Sequence, residues 1–298
     1  MNTKNIRFAS NRVRDIESQF HHELDSLYGQ GEVEAFITLL FEHIFGWSRV
    51  RRMTSREACV DQSDLLKLHW ALEELTRQRP IQHIIGHADF CGCRIEVSSD
   101  VLIPRPETAE MVDWIVKNLP EDARQGKHID LCTGSGCIAI ALKRAFPLAD
   151  ITAADISDAA LEVARRNAST NQTGLNIMKA DVLHPDATLT GTRYDLMVSN
   201  PPYVCESERK EMRPNVLDYE PALALFVPDD DPLRFYRAIG GMAARQLTEG
   251  GLLVMEINER LATETCQLLE GLGLAATTHL DFNGKERFVS ATRADASL

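Results

Sequence analysis

Asn200-Pro201-Pro202-Tyr203 stands directly after the apolar run Asp195-Leu196-Met197-Val198-Ser199. Proline fixes φ and carries no N–H, so two in succession make a stiff backbone offering carbonyl acceptors without competing donors. An NH₂ group suits such acceptors. The Asn200 side-chain oxygen and the Pro201 carbonyl could each take one hydrogen of a planar amide or aromatic amine, with Tyr203 packing on its face. A proline-rich turn anchored by a core tyrosine would read the same way.

A second set lies upstream, in Asp130-Leu131-Cys132-Thr133-Gly134-Ser135-Gly136-Cys137. It follows a predicted strand and opens a predicted helix. Gly134 and Gly136 permit torsions and close approaches that a Cβ forbids, and the helix start offers unpaired N–H groups to a polar ligand. An ordinary tight βα turn has the same look. Asp155 ends the next strand, about twenty residues on, where nucleoside-binding βαβ units carry an acid for ribose hydroxyls. Ala139 stands three residues beyond Gly136 in place of a third glycine, which favours a nucleoside without a pyrophosphate. S-adenosylmethionine is such a ligand, and an acidic protein suits its sulfonium cation. Asp181-Val182, after the third strand, falls where an adenine would lie, although a helix cap or loop carboxylate fits there equally well.

These residues need elements to hold them. Val33, Phe36, Ile37, Leu40 and Ile44 follow the helical repeat and predict a helix ending near Gly46. Leu65, Leu68, Leu72 and Leu75 repeat the pattern after Ser63, a suitable N-cap, with Pro80 just beyond the end. The chain up to about residue 85 therefore reads as a small helical domain. Between Ala88 and Ile103 the period shortens to about two, around Gly92 and Ser98-Ser99-Asp100, which predicts a β-hairpin bridging two domains. Pro104 and Pro106 follow, and Thr108 can cap a helix whose apolar face is Met111, Trp114, Ile115 and Leu119.

Beyond 128, strand and helix alternate: strands at 128–131, 151–155, 176–180, 194–199 and 252–257, with helices running to Phe146, to about Thr170 and over 235–247. Such alternation means βαβ units and a mainly parallel sheet. Strands at 275–280 and 288–292 flank Asp281-Phe282-Asn283-Gly284, and Asn-Gly is a tight-turn signal, so a terminal antiparallel hairpin is expected.

The 298 residues hold 32 Lys and Arg against 44 Asp and Glu, a net charge of −12, with 44% hydrophobic and 26% charged residues. That is the composition of a globular chain long enough for about two domains. Phosphate binding draws on clustered Lys and Arg, so a nucleic-acid coat is disfavoured. The basic N-terminus has no apolar run, and no window approaches the roughly 18 apolar residues of a membrane span, so the protein is expected in the cytoplasm and off the membrane. Cys59, Cys91, Cys93, Cys132, Cys137, Cys205 and Cys266 lack metal-ligand or disulfide spacing and are expected to be reduced, mostly buried thiols, with no metal site.

The D-x-x-x-G-x-G turn, Asp155 and the NPPY tetrad together resemble the class I S-adenosylmethionine-dependent methyltransferases of planar nitrogen. More closely, PIQHIIGHADFCGCRIEVSSDVLIPRPET, DLCTGSGCIAIAL, VSNPPYV and YEPALALFVPDDDPLRFYRAI resemble the HemK/PrmC family, the release-factor glutamine methyltransferases. The resemblance runs from about residue 30 to the end. It implies an α/β fold: a class I, Rossmann-like methyltransferase domain over 105–298, a β-hairpin linker over 88–104, and a helical substrate-recognition domain over 1–87. By similarity, Cys132, Thr133, Gly134, Ser135 and Gly136 wrap the methionine part of the cofactor, Asp155 holds the ribose, and Asp181 and Val182 meet the adenine. Asn200, Pro201, Pro202 and Tyr203 grip the substrate glutamine, with Asn200 and Pro201 as the catalytic pair and Asn200 also bordering the cofactor. Cys132 replaces the family's usual first glycine, and Ala109 stands where members commonly carry Glu, although Glu107 and Glu110 remain.

The implied reaction moves a methyl group from S-adenosylmethionine to the glutamine amide nitrogen of the Gly-Gly-Gln motif in class 1 peptide chain release factors, leaving S-adenosylhomocysteine. A ribosomal-protein glutamine is the alternative substrate. A DNA adenine methyltransferase would need a basic groove and a target-recognition region, and a silent module would bind cofactor without turnover. No direct nucleic-acid partner is expected, and a monomer is favoured.

Overall fold

The computed structural model describes residues 8–293 of the 298. In chain order its elements are α1 (Val13–Tyr28), α2 (Gln30–Phe45), α3 (Arg49–Thr54), α4 (Gln62–Thr76), α5 (Ile81–Ile85), β1 (His87–Phe90), β2 (Cys93–Glu96), α6 (Pro106–Asn118), β3 (Lys127–Leu131), α7 (Cys137–Ala145), β4 (Asp150–Asp155), α8 (Asp158–Thr170) and β5 (Asn176–Lys179). They continue with α9 (Ala187–Thr190), β6 (Tyr194–Ser199), β7 (Val204–Cys205), α10 (Pro214–Leu217), β8 (Phe226–Val227), α11 (Arg234–Gln246), β9 (Leu247–Glu256), α12 (Ala262–Gly271), β10 (Leu274–Leu280) and β11 (Glu286–Arg293). The chain forms two compact units, one running up to Gly86 with Pro214–Tyr219, the other His87–Arg213 with the chain from Glu220 onward.

The first unit is helical. Val13, Ile16, Phe20 and Leu24 of α1 pack with Val33, Phe36, Ile37 and Leu40 of α2 and with Leu68, Leu72 and Leu75 of α4, because each set lines one face of its helix. Gly46 ends α2 at φ 65°, a left-handed cap, with its N–H donating to Glu42. Helix α4 starts two residues earlier than the expected Ser63 cap: Asp61 is the N-cap and Ser63 lies inside the helix. Arg52 is buried and pairs with Glu17 and Glu34.

The second unit is a seven-stranded sheet in the order β10-β11-β9-β6-β3-β4-β5. Strands β9, β6, β3, β4 and β5 run parallel, while β11 pairs antiparallel with both β9 and β10. Both faces are covered, which explains the near-continuous apolar runs. Leu196 and Val198 join the cluster with α6, α7 and α8, and Met197, Leu253 and Met255 join the cluster with α11 and α12. The chain steps from β3 outward to β4 and β5, then crosses back to β6 on the other side of β3. The strand order therefore switches between β3 and β6, where a crevice opens at the carboxyl ends.

The predicted hairpin closes at Phe90–Cys93, and its strands stop at Glu96. It packs within the second unit: the Glu96 N–H donates to Asn167 Oδ1 at 2.6 Å, and Asn167 Nδ2 donates back to the Glu96 carbonyl at 3.0 Å. The cysteines are free, but only Cys93 and Cys137 are buried. Cys91 sits exposed at the tight hairpin turn and Cys59 lies exposed in the first unit. Among the described residues, no helix is long and apolar enough to cross a membrane.

Candidate active site

Strand β3 delivers its chain end into a turn whose backbone is left-handed three times, at Cys132 (φ 58°), Gly134 (φ 54°) and Gly136 (φ 79°). Glycine meets this need at two positions for different reasons. A Cβ on Gly136 would come within 3.2 Å of the Ala164 Cβ, so a side chain there would have to push α8 back by a few tenths of an ångström as well as adopt φ 79°. A Cβ on Gly134 would meet nothing within 4 Å, because that residue faces an open cavity. Cys132 adopts the left-handed conformation with a side chain, at a cost of roughly 1–2 kcal/mol.

Beneath the turn, Asp130 is fully buried. Its Oδ2 accepts from Thr133 Oγ1 at 2.5 Å and from the Ala139 N–H at 3.2 Å. Burial pushes its carboxyl up to about 7, against the pull of those hydrogen bonds. Strand β4 ends at Asp155, whose Oδ2 accepts the Gly134 N–H at 2.8 Å and whose Oδ1 accepts the Ser157 N–H at 2.9 Å. Burial raises this carboxyl as well, again opposed by the backbone donors. At Asp181, desolvation pulls the carboxyl up but is outweighed by the contacts with His184 and Leu183, so its pKa is lowered. Its oxygens meet the Leu183 N–H at 2.8 Å and His184 Nδ1 at 2.9 Å.

One cavity of about 340 Å³ brings these groups together. Cys132, Thr133, Gly134 and Ser135 line it from the turn, Asp155 from β4, Asp181 and Val182 from beyond β5, and Asn200 and Pro202 from beyond β6. Gly136, Pro201 and Tyr203 are not among its lining residues. Gly136 lies under the turn as the N-cap of α7, and Pro201 is buried. Tyr203, expected on the face of a planar amide, is instead tied into the fold. Its hydroxyl donates to Glu256 Oε1 at 2.9 Å and its carbonyl accepts from Asn258 Nδ2 at 3.1 Å.

Several lining residues were not anticipated from sequence. Arg105 reaches the cavity paired with the buried Glu220 at 2.5 Å, and Glu220 also accepts the Ile103 N–H at 3.1 Å. Phe235, Leu223 and Arg234 come from the segment following Glu220. Thr108, expected as a helix cap, is the third residue of α6, whose N-cap is Arg105. Its hydroxyl donates to Glu256 Oε2 at 2.6 Å and accepts from Asn200 Nδ2 at 3.2 Å. A signal existed for Glu256: it is an acid near the end of the otherwise apolar run 252–257.

The arrangement can hold a nucleoside-like ligand and a planar amide in one cavity. A side chain at Gly134 would take up part of that space, and the carboxylates of Asp100, Asp155 and Asp181 on its walls disfavour phosphate groups. Each Asp155 oxygen accepts one backbone N–H and keeps acceptor capacity for a hydroxyl.

Comparison with known proteins gives concordant results. Residues 110–217 match the methyltransferase small domain family, and residues 19–86 match the PrmC N-terminal domain. A release factor glutamine methyltransferase of Flavobacterium psychrophilum is 40% identical over 93% of this chain and 98% of its own length. One of Bacteroides thetaiotaomicron is 40% identical over 93% of this chain and 99% of its length. A methyltransferase crystal structure from Pyrococcus furiosus superposes with a TM-score of 0.50 at 17% identity, covering 68% of this chain and 90% of that one, a likeness of fold.

Proposed function

The chain belongs to the release factor glutamine methyltransferases, and on that premise we propose that it methylates the side-chain amide of the Gly-Gly-Gln glutamine in class 1 peptide chain release factors, with S-adenosylmethionine as methyl donor. The observation that carries this reading is the meeting of Asn200 and Pro202 with the 132–135 turn and Asp155 in one cavity. A sulfonium-bound methyl group, when the cofactor is bound, supplies the electrophile.

The chain's own residues do the rest. Asp155 takes the ribose hydroxyls on its remaining lone pairs, the turn from Cys132 to Ser135 receives the amino-acid end, and Val182 packs on the adenine. A glutamine amide is a poor nucleophile because its lone pair is delocalised over the carbonyl. Asn200 Oδ1 and one backbone carbonyl of the proline pair accept its two N–H groups, turn the nitrogen lone pair toward the methyl carbon and stabilise the positive charge that grows on nitrogen. The nitrogen would take the methyl group as the S–C bond breaks, releasing S-adenosylhomocysteine, and the surplus amide proton would pass to water afterwards, so no strong base is required before attack. Holding both partners in line supplies much of the rate, since effective molarities for well-oriented groups reach about 10⁵–10⁸ M. Tyr203, anchored to Glu256 and Asn258, keeps the proline segment in place. The first unit supplies further surface for a macromolecular substrate.

Transfer of labelled methyl from S-adenosylmethionine to a class 1 release factor tests the proposal. Labelling is expected with the natural factor and absent when the Gly-Gly-Gln glutamine is replaced by alanine. Equal labelling of both would overturn it.

A further inference from the structure

We propose that Glu256, acting through Thr108, sets which way the Asn200 amide faces and so makes Asn200 a hydrogen-bond acceptor toward the substrate. The inference rests on the glutamine-methylation reading and adds two positioning residues to it.

An asparagine amide is nearly symmetric in shape but opposite in chemistry at its two ends, so something must select its orientation. Turned one way, Asn200 offers the substrate NH₂ an oxygen. Turned the other way, it offers a second NH₂, and two donors face each other. The sheet decides which neighbours make the choice. Ser199 pairs in register with Met255, so Asn200 and Glu256 leave adjacent parallel strands side by side, and α6 brings Thr108 between them.

The hydrogen-bond polarity then runs in one direction. Glu256 is 1% exposed, and burial raises its pKa against the pull of the Thr108 and Tyr203 hydroxyls and of Arg287; in its carboxylate form, above that pKa, it has no proton to donate. Its two oxygens accept from two hydroxyls, Tyr203 on Oε1 at 2.9 Å and Thr108 on Oε2 at 2.6 Å. Thr108 is itself 2% exposed and has a single proton, which Glu256 takes. What the Thr108 oxygen has left is lone pair, and of the two ends of the Asn200 amide only the NH₂ can meet it. Asn200 Nδ2 therefore lies on the Thr108 side at 3.2 Å, and Oδ1 is left for the cavity that Asn200 lines. Reversing the amide would set Oδ1 against the Thr108 oxygen with no proton between them, an arrangement that a buried site penalises. The same carboxylate fixes both ends of the Asn-Pro-Pro-Tyr segment, Tyr203 directly and Asn200 through Thr108.

Thr108→Val keeps the shape of the side chain and removes the hydroxyl, leaving the amide free to sample both orientations. A double-mutant cycle separates this role from general support of the fold. In the full-length enzyme, Thr108→Val is expected to lower kcat for release-factor methylation about tenfold, with KM for the factor within about twofold. Calorimetric affinity for S-adenosylmethionine should be unchanged, and Thr108→Ser should restore kcat. In an Asn200→Ala background, the same Thr108→Val change is expected to have no further effect, because there is no amide left to orient. Glu256→Gln provides a second cycle should Thr108→Val fold poorly. Its amide offers Thr108 either an oxygen or an NH₂, so kcat falls beside Asn200 and does not fall beside alanine. A loss from Thr108→Val or Glu256→Gln that is equally large with and without Asn200 overturns the inference, as does an undiminished kcat in both single variants. Failure of the underlying reading looks different: Asn200→Ala alone would then turn over at the natural rate.

Discussion

Replacing Asp155 by alanine removes the one carboxylate in the cavity whose two oxygens each hold a backbone N–H, from Gly134 at 2.8 Å and from Ser157 at 2.9 Å, with capacity to spare. A hydrogen bond to a charged acceptor contributes roughly 1.5–3 kcal/mol, so the loss of one ribose contact weakens binding about 10-fold to 150-fold. Losing both hydroxyl contacts moves the result toward the upper end without doubling it, because the two share one carboxylate. Calorimetric titration with S-adenosylmethionine and with S-adenosylhomocysteine is the assay. The two ligands share the ribose and differ in the sulfonium charge, so a ribose-binding role predicts equal losses for both. Burial raises the Asp155 pKa, so wild-type affinity should also fall on acidification earlier than for an ordinary aspartate, and the alanine variant should lack that dependence. Unchanged affinity would remove Asp155 from the ribose site. A loss confined to S-adenosylmethionine would show that it acts on charge instead.

Asp130 links stability to pH: its pKa is raised from 3.8 to about 7, so the folded state holds a proton that the unfolded state has lost between those values. Its contribution is therefore fully present below about pH 4 and lost as pH rises through about 7, and Asp130→Asn should gain on wild type by a few kcal/mol from pH 5 to pH 8 in denaturation experiments. A constant difference between the two would contradict the buried acid. Cys132→Gly should relieve the left-handed strain at φ 58° and, after glycine's own entropic cost, stabilise the protein by up to about 1 kcal/mol. A lowered melting temperature would show that packing of the thiol outweighs its backbone. A chain beginning at His87 should bind S-adenosylmethionine within a few-fold of the full protein yet methylate a release factor at least about tenfold more slowly at subsaturating factor. Undiminished kcat/KM would show that the helical unit does not contribute to substrate recognition.

The parallel strands were legible because their apolar runs are short, buried on both faces and separated by amphipathic helices. The C-terminal hairpin was legible because Asn283-Gly284 marks its turn. Helix α1 was legible as well, since Val13, Ile16, Phe20 and Leu24 follow the helical repeat and line one face that packs on α2 and α4, yet the helices predicted from sequence begin only at Val33. The predicted cap at Thr108 failed for a tertiary reason: a buried carboxylate 148 residues away takes the hydroxyl that a helix end would otherwise use. Tyr203 illustrates the same limit. Its place next to two prolines suggested contact with a ligand, but Glu256 holds its hydroxyl and Asn258 its backbone carbonyl, and neither is near in sequence. Arg105 and Glu220 meet at the cavity wall across 115 residues, a contact that no local spacing encodes.

The central claim is that this cavity delivers a methyl group to one glutamine amide. Peptide-level tandem mass spectrometry of a class 1 release factor, incubated with S-adenosylmethionine and a catalytic amount of the protein, tests it directly. The account predicts one added methyl on the side-chain nitrogen of the Gly-Gly-Gln glutamine, formed by wild type over many turnovers and by Asn200→Ala on the order of 10²–10³ times more slowly. An unmodified glutamine, a methyl group on any other residue, or equal rates for the two proteins would contradict it.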